Sequence, residues 1–290
     1  MAIPSAIPHS LATRWGLQGF ELIADTRTSS VHRVRRQDGT TAILKQLKPT
    51  GLHELTGMAY LGWRNGAGAV QLQERHGNAC LLEDAGVETL RDHWRAHGDK
   101  NCNQIIVRVL QELHRSSEED TPAGLTPLRD HFRALLQPPK SDDRQLTDAL
   151  IHCAATAEDL LAKQSGARPL HGDLHHDNII TGKSRGWLAI DPHGIVGDAA
   201  YEVANVFGNP TGAVADIVDP NRIVTRVRLF AACLGCSEKR VARYAMAHAG
   251  LSICWSIEDG DEFGKGSNAA ERLAFLNVMR RLIEGREFSP

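Results

Sequence analysis

The chain has 290 residues, 42% of them hydrophobic, with a formal charge of −2 and six cysteines. That length can bury a substantial core and suits two lobes better than one small module. The near-neutral charge gives no footprint for nucleic acid, since Arg33, Arg35 and Arg36 are too local to make one, and no apolar run reaches the length of a membrane span.

The stretch from Met1 to Ser10 holds two prolines and no basic region ahead of an apolar one, which reads as a cytoplasmic protein. Phe20 to Ala24 and Val31 to Arg36 alternate apolar and polar residues. Gln37-Asp38-Gly39 reads as a hairpin turn and Ala42 to Leu47 as the next strand. Lys45 falls inside that strand, and a lysine pointing inward from a small sheet needs a partner. Glu54 is the candidate, in a stretch (Leu52 to Leu61) with helical periodicity after Pro49. Val70 to Gln73 and Ala79 to Glu83 form another expected hairpin, running out into Asp84-Ala85-Gly86.

From Leu90 onward the pattern turns helical: Ile105 to Leu113, a short helix at Leu128 to Leu136 between proline-containing loops, and Leu146 to Leu161. Ala199 to Phe207, Val218 to Leu234, Ser237 to Ile257 and Ala269 to Glu284 extend it. With no export signal, the cysteines read as reduced and mostly buried. Cys233 and Cys236 alone have redox-motif spacing, with Gly235 as a helix terminator and nothing nearby to complete a zinc site.

The richest segment is His171-Gly172-Asp173-Leu174-His175-His176-Asp177-Asn178, followed by the apolar run Trp187 to Ile190 and then Asp191. Asp173 and Asn178 bracket four residues, the Asp-x-x-x-x-Asn interval of kinase catalytic loops, and Asp191 falls where a kinase places a second magnesium ligand. Phosphoryl transfer needs an oriented hydroxyl and a hard cation on the phosphate oxygens. Asp173 can accept or orient the hydroxyl proton, while the Asn178 amide oxygen and the Asp191 carboxylate suit Mg2+. The histidines could bind zinc by type, but the carboxylate and amide set fits magnesium better.

The block from Leu170 to Ile180, with Gly186-Trp187-Leu188-Ala189-Ile190-Asp191-Pro192 behind it, resembles the aminoglycoside phosphotransferase family, and within it the streptomycin 6-phosphotransferases. The likeness extends through Ile23-Ala24-Asp25-Thr26, Lys45-Gln46-Leu47-Lys48-Pro49, Trp63-Arg64-Asn65-Gly66, Gly68-Ala69-Val70, Leu81-Leu82-Glu83 and Gly197, from about residue 20 to about residue 260. It implies an α+β, two-lobed protein-kinase-like fold: a small antiparallel-sheet N-terminal lobe (residues 1–82), a hinge (83–86) and a larger, mainly helical C-terminal lobe (87–290). It also implies an ATP- and Mg2+-dependent phosphotransferase acting on a small cationic molecule, with no nucleic-acid or membrane partner. Lys45, braced by Glu54, would hold the α- and β-phosphates, and the backbone at Glu83 and Ala85 would pair with the adenine edge. The segment Thr26 to Ser30 stands where kinases have a glycine-rich loop; it has no glycine, so Ser29 and Ser30 are expected to reach phosphate through their hydroxyls.

Family substrates carry amino or guanidino groups, so the acceptor pocket should be acidic. The run Glu258-Asp259-Gly260-Asp261-Glu262 beside Trp255 supplies carboxylates and an aromatic face, and Asp198 and Glu202 add further candidates. Two other readings share the motif: a kinase for another small acceptor such as hydroxyurea or a sugar-like metabolite, and a non-catalytic binding protein that keeps the fold. Intact Lys45, Asp173, Asn178 and Asp191 argue against the last.

Overall fold

The computed structural model describes residues 7–117, 119–261, 264 and 266–289. Met1 to Ala6 of the N-terminal stretch and Glu262 of the acidic run lie outside the described residues. After a short helix α1 (His9–Arg14), strands β1 (Leu17–Asp25), β2 (Ser29–Arg36), β3 (Thr41–Leu47), β4 (Leu72–His76) and β5 (Ala79–Glu83) form one antiparallel sheet in the order β1-β2-β3-β5-β4. Between β3 and β4 the chain makes a six-residue 3-10 segment, Pro49–Glu54, and then helix α2 (Leu55–Arg64). The helix expected from Leu52 therefore starts three residues late, because Pro49 opens a tighter 3-10 turn first.

Strand alternation gives the sheet two working faces. Val34, Ala42, Leu44 and Leu81 pack under α1 with Leu11 and Trp15, a small core of its own. Each fully buried large side chain there contributes roughly 1.5–3 kcal/mol. The opposite face carries Val31, directly across from Lys45, together with Ile43 and Leu82, and looks into a cleft.

Beyond β5 come α3 (Leu90–Leu113), interrupted at Gly98, and the one-turn helices α4 (Leu128–His131) and α5 (Arg133–Leu136), which begin just after the two-residue strand β6 (Thr126–Pro127). The single helix expected over 128–136 is thus two turns broken at Phe132. Helices α6 (Arg144–Ala162), α7 (Val214–Ile217), α8 (Pro220–Leu234), α9 (Glu238–Glu258) and α10 (Asn268–Glu284) make the bulk of this lobe, with the nearly all-buried α9 packed against α6, α8 and α10. The expected helix at Ala199 to Phe207 is instead two 3-10 segments, Ala199–Tyr201 and Ala204–Gly208. Gly235 ends α8 in the left-handed region. Among the described residues, no helix is long and apolar enough to cross a membrane.

Short strands frame the functional loops. β7 (Arg168–Leu170) pairs with β10 (Ile195–Gly197), and β8 (Ile179–Thr181) with β9 (Trp187–Ala189). The loop from His171 to Asn178 thus leaves one short ladder and enters another, which fixes both of its ends. Asp191 follows β9 after a single residue, Ile190.

Candidate active site

The cleft between sheet and helical lobe has a volume of about 540 Å3. Its walls are apolar: Ile23, Val31 and Ile43 above, Val70, Leu82 and Ala85 at the back, Ile180 and Ile190 below, with Lys45 and Asp191 at one end. Leu22, Ile23 and Val87, three of the most exposed large hydrophobic side chains in the molecule, all line it. An apolar slot with charge at one end suits a flat ring carrying an anionic tail. Glu83 and Ala85 both border the slot, and the Glu83 carboxylate is held by the Gln71 N–H at 3.0 Å and by Arg185.

At the charged end, Lys45 Nζ lies 2.6 Å from Glu54 Oε2 and also pairs with Asp191. Burial alone would lower the Lys45 ammonium, but Asp191 and Glu54 outweigh it and the net shift is upward, so Lys45 is a fixed cation. Asp191 itself has φ +58, a left-handed backbone that Asp tolerates better than most side chains. The following segment is clamped to α2. A Cβ on Gly57 would stand 1.9 Å from the Pro192 carbonyl oxygen, so only glycine lets the helix approach so closely. Thr56 Oγ1 donates to the His193 carbonyl at 2.6 Å from the same turn.

Asp173 is held from both sides. Its Oδ2 accepts from Asn178 Nδ2 and its Oδ1 from Asn205 Nδ2, each at 2.8 Å. Burial would raise this carboxyl, but the imidazoles of His193 and His175, 3.8 and 3.6 Å from Oδ2, hold it well below the usual carboxylate range; the two amide donors act the same way. With its nitrogen committed to Asp173, Asn178 keeps its amide oxygen for another partner.

The loop's shape is imposed from behind. Glu202, fully buried, accepts from the backbone N–H of His171 at 3.0 Å and of Gly172 at 2.9 Å, and lies 3.2 Å from His114 Nε2. His171 accepts the Asp173 N–H on Nδ1, so its Nε2–H donates to the Ile190 carbonyl, tying Asp173's loop to Asp191's strand through one neutral ring. Gly172, at φ +80, would drive a Cβ to within 2.3 Å of Ile195. On the far side, buried Arg226 of α8 bonds His176 Nε2 at 3.2 Å.

Several expected placements are corrected. Asp198 and Glu202 are 2% and 1% exposed and face inward: Asp198 caps the Ala200 N–H and pairs with Arg240, and Glu202 braces the loop. Neither carboxylate is exposed. The loop between β1 and β2 is only Thr26 to Thr28, because Ser29 and Ser30 are already buried strand residues. Ser30 pairs with Gln46 on the face turned from the cleft, and only Ser29 shares the face of Val31 and Lys45. At the end of α9, Trp255 and Asp259 stand one turn apart on the cleft side. Glu258 projects about 60° from Trp255 and about 100° from Asp259, toward Cys254.

Trp255, expected as an aromatic face, packs in a cluster beside Asp173 whose histidine members were not anticipated. The rings of His131, His193 and Trp255 pack at 5.1 to 6.0 Å between centroids, and a hydrogen-bond chain runs from His131 Nε2 through Tyr201 Oη (2.7 Å) to His248 Nδ1 (2.8 Å). Asp-Pro-His-Gly at residues 191–194 was the available signal for His193; nothing local pointed to His131 or Asn205.

Burial pushes His248 down to about 3 and also lowers His131, His171 and His176. Folded-state values below the unfolded one mean that the unfolded chain binds more protons, so stability is present above about pH 6.5 and is lost as pH falls toward 3. Stability measured by denaturant between pH 4.5 and 6.5, above the carboxylate range, should fall with acid. His248→Gln should flatten that slope by about 1.4 kcal/mol per pH unit at most; an unchanged slope would mean that His248 is protonated in the fold.

Residues 14–260 match the family model described as aminoglycoside/hydroxyurea antibiotic resistance kinase. The chain is 34% identical to a streptomycin 3''-kinase of Klebsiella pneumoniae, over 93% of this chain and 99% of that protein. It is 29% identical to a streptomycin 6-kinase of Streptomyces glaucescens, over 89% and 84%. In fold it is similar to a choline kinase from Streptococcus pneumoniae, with a TM-score of 0.66 at 14% identity, covering 93% of this chain and 96% of that one.

Proposed function

This chain belongs to the aminoglycoside/hydroxyurea antibiotic resistance kinase family and is a phosphotransferase, and we propose that it moves the γ-phosphoryl group of ATP onto a hydroxyl of streptomycin. The observation that carries this reading is the Lys45–Asp191 pair at one end of an apolar slot, with the loop that holds Asp173 against Asn178 tied to the residue before Asp191 through the Asn178 carbonyl and the His171 ring. Its proposed place of action is the cytoplasm, where ATP is. Residues 83–86 are the proposed hinge between lobes 1–82 and 87–290.

In this reading the adenine lies between Ile23, Val31 and Ile43 on one side and Ile180 and Ile190 on the other, against the backbone of Glu83 and Ala85. Lys45, held by Glu54, takes the α- and β-phosphates, and the Ser29 hydroxyl is the nearer of the two serines. Asn178 Oδ1 and Asp191 are an oxygen donor set that fits Mg2+, which would neutralise charge on the phosphate oxygens. Asp173 orients the acceptor hydroxyl. As that oxygen bonds to the γ-phosphorus and the bond to the β-phosphate oxygen breaks, its proton passes to Asp173 and ADP leaves. A carboxylate held so far below neutrality is a weak base, so proton transfer comes late, after the hydroxyl has been acidified by bonding to phosphorus.

A panel test decides the acceptor: ADP release measured with streptomycin, hydroxyurea and choline. Streptomycin should stimulate release most; a larger response to hydroxyurea would move the assignment within the family. The Lys45–Glu54 pair gives a second check. Lys45→Ala should raise the KM for ATP about tenfold or more and Glu54→Ala less, with the double variant close to Lys45→Ala alone, because one interaction is removed twice. Additive effects would make Glu54 a bystander.

A further inference from the structure

The turn Thr26 to Thr28 reaches across the cleft. Arg27, at its tip, pairs through its guanidinium with Asp259 at the end of α9, 232 residues away. The backbone beneath it is pinned: the Lys48 N–H donates to the Thr28 carbonyl at 2.7 Å, and Lys48 Nζ and Thr50 Oγ1 bond the carbonyls of Thr26 and Arg27. The side chain, in contrast, is 67% exposed and its partner 49%. Only the side chain is free to change place.

Two features give this contact meaning. Asp259 sits one helical turn beyond Trp255, whose ring packs on His193, which in turn lies beside Asp173. Asp259 is therefore the carboxylate at the far end of a track that starts at the acceptor-orienting residue, and the structure shows it holding a guanidinium. At the other end, Asp25 pairs with Ser30 and Val31 with Lys45, so the turn caps the part of the sheet that stands over Lys45 and Asp191. A cation there, over the phosphate site, has a second target.

We propose that Arg27 has two positions: without acceptor it occupies Asp259, the carboxylate that receives the acceptor's guanidinium, and when acceptor displaces it, Arg27 turns onto the phosphoryl group being transferred. This deepens the proposed function, since it rests on a guanidino acceptor at the same site. Exposed ion pairs contribute little, so the displaced contact costs the acceptor less than about fivefold in affinity. Arginine suits both partners because its planar fork matches carboxylate and phosphate alike. Charge spread over the phosphoryl oxygens is then met only when an acceptor is present, which restrains transfer to water.

The test uses the purified protein with Arg27→Ala, Asp259→Asn and the double variant. Acceptor-free ATP hydrolysis reads the phosphate-side position whatever the acceptor is: Asp259→Asn should release Arg27 and raise hydrolysis about threefold or more, and adding Arg27→Ala should abolish the rise. With streptomycin, Arg27→Ala should tighten nucleotide-free binding by about two- to fivefold yet lower kcat about tenfold or more, and Asp259→Asn should raise the KM for streptomycin with little change in that for ATP. Hydrolysis that ignores Arg27 in the Asp259→Asn background, or an unaltered kcat in Arg27→Ala, overturns the proposal. Wild-type protein that never phosphorylates streptomycin overturns the acceptor assignment instead, and the hydrolysis arm still decides on Arg27. A change in thermal stability with no Arg27-dependent kinetic change would reduce the contact to a surface strut.

Discussion

Asp173→Asn is expected to lower kcat by about two to four orders of magnitude while leaving the fold and ATP binding intact. The side chain is held by amide donors at both oxygens, from Asn178 and Asn205. Replacing it with an amide of the same shape turns one acceptor into a donor facing another donor, so the hydroxyl-orienting oxygen is lost or misdirected. The KM for ATP should hardly move, because Asp173 does not line the apolar slot that ends at Lys45. The same low carboxyl value predicts that kcat of the wild type shows no limb from Asp173 between pH 5 and 8. Turnover within about tenfold of wild type would remove Asp173 from the role.

Asp191→Asn should be at least as damaging, by about three orders of magnitude or more, at saturating ATP and magnesium. Asn tolerates the left-handed backbone seen at φ +58, so the variant isolates charge from strain. It takes away an anionic oxygen donor and a partner of Lys45 in one step. Lys45 keeps Glu54, so the sheet should fold normally and circular dichroism should match the wild type. Activity within about tenfold of wild type would place the metal site elsewhere.

What the sequence made legible follows the physics of local signals. Asp173, Asn178 and Asp191 lie within one loop-strand-loop unit, where spacing along the chain sets spacing in space, and Lys45 sits in a strand whose alternation assigns its face. Glu54 was within reach because it stands immediately before α2, a short step along the chain from β3. The proposed acceptor side was harder: His131, Asn205 and Arg27 approach Asp173 or Asp259 only through tertiary packing, which leaves no periodic trace, and His193 was marked only by the Asp-Pro-His-Gly stretch. Asp198 and Glu202 illustrate the converse error: acids following Asp191 read as a pocket, yet both are buried supports, because open backbone N–H groups of tight turns need acceptors. Ser29 and Ser30 were placed in a loop because Thr26 to Ser30 stands where kinases have a glycine-rich loop, whereas pairing with Leu47 and Gln46 draws them into the strand.

The central claim, transfer of the γ-phosphoryl group to a streptomycin hydroxyl, is tested most directly by incubating the purified chain with ATP, Mg2+ and streptomycin and following the products by phosphorus NMR, with Asp173→Asn as the control. The expected products are ADP and an equal amount of a phosphomonoester, whose coupling to the carbinol proton identifies the hydroxyl modified, with neither formed by the variant. Consumption of ATP that yields only inorganic phosphate, or a phosphomonoester formed equally well by Asp173→Asn, would contradict it.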